Sequence, residues 1–144
     1  TKKKMRPTYF FIMKLTQKNP NVRVVFKEFP ILGPASEQAA RVALASKGDG
    51  KYFAIHQGLL NARGSVSGAA LSSLIEKHGL NADEIVTRGK NKDIDAHIKD
   101  VRNLAQSLGV SGTPAFIIDN QLFSGALSYD DMQSLIDEIR GSSN

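Results

Sequence analysis

No cysteine occurs among the 144 residues, so the chain can form neither a disulfide scaffold nor a thiolate nucleophile. That absence alone does not separate a reducing from an oxidising compartment. No apolar run approaches the length of about 18 residues that spans a bilayer, and none has the form of a signal-peptide core. The chain reads as a soluble globular form that begins at Thr1, which points to a processed or partial polypeptide. Short metal-ligand pairs are lacking too, because His56, His78 and His97 stand far apart in the chain. Gly48-Asp49-Gly50-Lys51 is too short for a phosphate loop, and no serine has the setting of a nucleophile. Neither a metal nor a cofactor is expected.

What remains suits one domain, large enough to bury about two-thirds of the surface its unfolded chain would expose. A formal charge of +5 arises from 19 basic and 14 acidic residues, with Lys2, Lys3, Lys4 and Arg6 as the densest group. Elsewhere the two signs alternate and no aromatic-basic module follows, so no nucleic-acid partner is expected.

Met5, Tyr9, Ile12, Met13 and Thr16 recur at helical spacing and predict a first helix to about Lys18, stopped by Asn19-Pro20-Asn21. Val22 to Phe29 is rich in β-branched and aromatic residues on both faces, as in a strand inside a covered sheet. From Ser36 to about Arg88 the pattern is helical, broken at Gly48 to Gly50, Gly64 to Gly68 and Gly79. Asn81 with Glu84 has the form of a capping pair, and Asp49 or Ser67 could cap the preceding helices. A further helix begins near Asn91, with Ile94, Ile98, Val101, Leu104, Ala105 and Leu108 on one face and Gly109 at its end. Ala115 to Asp119 and Leu122 to Ser124 are expected as a hairpin around Asn120-Gln121, before a helix capped by Ser128 and Asp131. Met132, Leu135, Ile136 and Ile139 form that helix's buried stripe. His56, beside Phe53, Leu59 and Leu60, reads as a helix-packing residue, and Glu28 as a solvated or paired strand carboxylate.

The run Gly109-Val110-Ser111-Gly112-Thr113-Pro114-Ala115-Phe116 resembles the proline loop of the thioredoxin superfamily. Val22 to Pro34, Ala39 to Ala45, Lys51 to Leu60 and Phe123 to Leu135 are similar to the corresponding stretches of DsbA-like thiol-disulfide oxidoreductases, near their Com-like outer-membrane group. The resemblance implies an α/β, thioredoxin-like fold with an inserted helical subdomain, the first core strand being absent from the chain. Residues 1–35 and 91–144 would form the core and residues 36–90 the insert. Upstream residues, a strand swapped from another copy or a rearranged sheet would fill the vacant place.

Lys3-Lys4-Met5-Arg6-Pro7 matches the sequence that follows the family's Cys-x-x-Cys motif, which places that motif at or before Lys2. Three cations in a first helical turn oppose the helix dipole, and so favour a longer helix with residues upstream. No catalytic residue is expected within the chain, and a protonated lysine is a poor replacement nucleophile. The resemblance assigns Gly112, Thr113 and Pro114 to substrate binding. It implies extended or unfolded protein substrates, a redox partner protein, a periplasmic or envelope location and the possibility of a homodimer. The chain as it stands is expected to be redox-inactive. The alternative is a cysteine-free, thioredoxin-like peptide-binding or chaperone protein of the cell envelope, with a vestigial structural protein as a third reading.

Overall fold

In the computed structural model, residues 2–62, 64 and 66–142 are described, with side chains from residue 8 onward. The side chains of Lys2, Lys3, Lys4, Met5, Arg6 and Pro7, on which the Cys-x-x-Cys register rests, lie outside the described residues. Chain contacts define two compact units, Thr1–Phe26 with Ala105–Asn144, and Lys27–Leu104.

The first unit is built on α1 (Lys2–Lys18) and α7 (Tyr129–Ser142). Ile12 and Leu15 of α1 meet Met132 and Ile136 of α7 in a buried cluster, with Val22, Val24, Phe26 and Phe116 packed against it. Helical periodicity in α1 is as expected, but its buried face is rotated. Leu15 is buried while Met13 is exposed, because burial follows the row facing α7. A polar clasp joins the two helices where α1 ends. Asn19, buried, donates to the Leu15 carbonyl at 3.0 Å and to Gln133 at 2.8 Å, and accepts from Arg140 at 2.9 Å. At the start of α7, Ser128 Oγ accepts from the Asp131 amide at 3.1 Å while Asp131 accepts from the Ser128 amide at 3.1 Å. This reciprocal capping satisfies donors that a helix start leaves open. The Ser128 donors hold the Asp131 carboxyl below its usual range.

The only sheet among the described residues is a hairpin of β1 (Ala115–Ile118) and β2 (Gln121–Ser124), antiparallel, with Ala115 opposite Ser124 and Ile118 opposite Gln121. Its two turn residues are Asp119 and Asn120, at φ 48° and 64°, one position earlier than the sequence suggested. Asx residues tolerate the left-handed region better than other side chains, and Gln121 is thereby released to pair. Residues 22–29 form no strand, contrary to expectation. Val22, Val24 and Phe26 are partly buried while Arg23 and Val25 are exposed. The two-residue period of a strand therefore survives, but Val25, 57 % exposed, shows that only one face is covered. Without a neighbouring strand, β-rich composition cannot make a ladder.

The second unit is helical: α2 (Pro34–Ala45), a 3₁₀ turn (Ser46–Asp49), α3 (Tyr52–Asn61), α4 (Gly68–Lys77), α5 (Ala82–Arg88) and most of α6 (Lys92–Ser107). Val42, Ala43, Ile55, Leu71, Ile75 and Ile85 form its core. Gly58 faces Leu74, and a Cβ there would stand 2.4 Å from Leu74 Cδ1, so a larger residue would require the Leu74 side chain to shift. Asn81 caps α5 by accepting from the Glu84 amide at 3.0 Å. Ser67 makes no side-chain cap, and Lys51 rather than Asp49 precedes α3. Asp49 instead pairs with Arg88 at 2.5 Å, a charge attraction that outweighs a local cap. On α6 only Ile98, Val101 and Ala105 of the expected stripe are fully buried, and Leu104 and Leu108 are exposed.

Candidate functional site

The expected binding residues are contiguous and lie in the connection from α6 to β1. Helix α6 stops in a Schellman arrangement. Gly109 takes φ 70°, its amide donates to Gln106 at 3.2 Å, and the Val110 amide donates to Ala105 at 2.8 Å. A glycine at that position accepts the left-handed conformation without strain. The chain then reaches Gly112, which is exposed and has nothing within 4 Å of where a Cβ would stand. Thr113 and Pro114 follow, partly buried and joined by a cis peptide bond. The Pro114 carbonyl accepts from the Gly125 amide at 2.9 Å, fastening the loop to the far end of β2.

This loop delivers the chain into β1, which has one strand neighbour among the described residues. A strand with one neighbour offers backbone donors and acceptors along its other edge. Ile117, 51 % exposed, and its cross-strand partner Leu122, 37 % exposed, add an apolar pair on the outer face. No titratable side chain occurs from Gly109 to Ile118. What this arrangement can do is hold an extended backbone by main-chain hydrogen bonds and apolar contact; it contains no group for proton or electron transfer.

A second cluster, in the helical unit, was not legible as a set. The Tyr52 hydroxyl donates to Glu28 Oε1 at 2.7 Å, and His56 Nδ1 lies 2.7 Å from the same oxygen. The Tyr52 and His56 rings stack at 5.5 Å, and the Glu28 and His56 side chains are only 15 % and 14 % exposed. Glu28 is thus paired, as one of its two expected readings had it. His56 does pack on its helix, as expected, and is also oriented by a carboxylate 28 residues earlier. A Tyr-x-x-x-His spacing puts both rings on one face of α3, but nothing in the sequence identifies Glu28 as their partner.

No group of His, Asp and Glu side chains suited to a metal occurs among the described residues. None of the described helices is long and apolar enough to cross a membrane.

The model of one protein family, the DSBA-like thioredoxin domain, matches residues 10–137. A thioredoxin-like oxidoreductase of Silicibacter pomeroyi is 33 % identical, with a TM-score of 0.90 over 96 % of this chain and 80 % of that one. The thiol-disulfide exchange protein α-DsbA2 of Wolbachia pipientis is 31 % identical, with a TM-score of 0.83 over 93 % of this chain and 74 % of that one. A periplasmic thioredoxin-like protein of Salmonella enterica serovar Typhimurium is 28 % identical, with a TM-score of 0.76 over 92 % and 75 % of the two chains. No curated protein sequence matches the chain.

Proposed function

The chain belongs to the DSBA-like thioredoxin domain family, and on that premise we propose that it holds extended or unfolded protein chains for thiol-disulfide chemistry of the DsbA type. Gly112, Thr113 and Pro114 bind the substrate backbone and β1 extends the contact. The observation that carries this reading is the open, glycine-led loop, in which Gly112 is exposed with nothing within 4 Å of its Cβ position. Disulfide exchange proceeds by thiolate attack through a mixed disulfide. A chain with no cysteine supplies binding and not electrons, so its own dithiol activity is nil. The periplasm is the proposed location, supported by the periplasmic Salmonella relative. A redox partner protein and a homodimer fit the same reading.

Gly112 provides the test, because its φ is not positive and open space lies at its Cβ position, so Gly112→Val leaves the fold intact while obstructing the loop. A thiol-free unfolded peptide should bind the variant about tenfold more weakly than the parent, the scale on which loss of one well-placed contact acts. Insulin-disulfide reduction by the 144-residue chain should not exceed the protein-free rate. Equal peptide affinity of the two proteins would remove the loop from the binding site.

The absence of cysteine also favours a second reading, a peptide-binding or chaperone protein that uses the same loop. A thiol count on the natural polypeptide isolated from cells separates the two. A reactive dithiol supports the oxidoreductase reading, and none supports the chaperone.

A further inference from the structure

A cavity of about 500 Å³ lies in the helical unit between α2 and α5, and its volume is within the range that proteins use for ligands. Pro34, Val42 and Val86 give it apolar walls, with Val42 almost wholly buried, and Glu37, Arg41 and Lys90 stand among its lining residues.

The charges of that lining are unequally engaged. Glu37 accepts from Arg41 at 2.8 Å and from Arg102 at 2.9 Å, and those donors, Arg102 first, hold its carboxyl below the usual range. Arg41 is committed to Glu37, to the Gly89 carbonyl at 3.2 Å and to Asp95. Lys90 is exposed and has no acidic partner among the described residues. An apolar recess with its acid neutralised and one cation free complements an apolar group beside a negative charge.

We propose that this cavity seats one apolar side chain of a partner polypeptide, with a neighbouring carboxylate of that partner drawn to Lys90. A polypeptide fits better than a small molecule. The cavity is open on one side, whereas a small ligand must be largely enclosed, and one anchored side chain suffices for a protein partner. The occupant of this site need not be a substrate.

The test is fluorescence anisotropy of the 144-residue chain with two short labelled peptides, one bearing a phenylalanine flanked by aspartates and the other the same residue flanked by lysines. The acidic peptide should bind about fivefold tighter or more, as one favourable surface charge contact allows. Lys90→Glu, at an exposed position, should abolish or reverse that preference. Val86→Phe, which fills the cavity, should weaken the acidic peptide at unchanged helical circular dichroism. Equal binding of the two peptides, no binding of either, or a preference retained in Lys90→Glu would overturn the proposal. So would Lys90-dependent capture by phosphatidylglycerol vesicles without binding of the acidic peptide, which would assign the site to a lipid surface.

Discussion

Residues 22–26 and residues 115–124 are both rich in β-branched and aromatic side chains, and both reach the α1 and α7 cluster, the first through alternate residues Val22, Val24 and Phe26 and the second through Phe116. Only the second forms a ladder. The hairpin has its partner two residues away, across a turn whose Asp119 and Asn120 accept positive φ, so closing it costs little chain entropy. Residues 22–26 are followed in the chain by a loop and α2, and any strand that pairs with them must come from a distant segment. Composition and alternation therefore report which side chains face the core. Pairing depends on a neighbour that a single segment cannot specify.

The largest effect should come from removing the floor that both segments share. Met132→Ala, at a side chain 2 % exposed, should cost about 2–5 kcal/mol in urea unfolding. A loss below about 1 kcal/mol would mean that the cluster does not carry the packing of this unit.

Alternation is tested by a neighbouring pair. Val24→Asp places a carboxylate on the packed side and should cost about 1–3 kcal/mol. Val25→Asp, on the exposed side, should stay within about 0.5 kcal/mol. Equal losses would show that residues 22–26 lack a single covered face.

The hairpin's advantage can be removed at its turn. Asn120→Val forces a β-branched side chain to φ 64° and should cost about 1–2 kcal/mol, while Asn120→Gly should be neutral or slightly stabilising. Hydrogen exchange of the Ala115 to Ser124 amides is the readout. An unchanged rate in the valine variant would contradict the turn's role.

The smallest effect is electrostatic. Arg102 and Arg41 lower the Glu37 carboxyl, so the unfolded state binds the proton more readily than the folded one. That contribution is present at neutral pH, above the unfolded value, and is lost as acid titrates the folded carboxylate. Because the pair is near the surface it should amount to about 0.5 kcal/mol or less. Glu37→Gln should flatten that part of the acid limb of stability, and an unaltered limb would show the arginine contacts to be energetically idle.

Much of this architecture was legible because its signals are local. Gly109 ends a helix, Asn81 caps one, Ser128 and Asp131 start one, and each requires only residues a few positions apart. The loop from Gly112 to Pro114 was legible in the same way, as a short run before an apolar strand. Long-range features were not. The Glu28, Tyr52 and His56 cluster joins positions 24 and 28 residues apart. The diversion of Asp49 from a cap to Arg88, 39 residues away, and the lack of strand structure at residues 22–29 likewise depend on which segments become neighbours.

The central claim is that this chain recognises extended polypeptide backbone at the loop preceding β1. Its most direct test is an NMR titration of the isotopically labelled chain with a thiol-free unfolded peptide. The account predicts shifts concentrated at the amides of Gly112, Thr113, Ala115 and Ile117, saturating with peptide and suppressed in Gly112→Val. Saturable shifts that leave these amides unmoved, or no shifts at all, would contradict it.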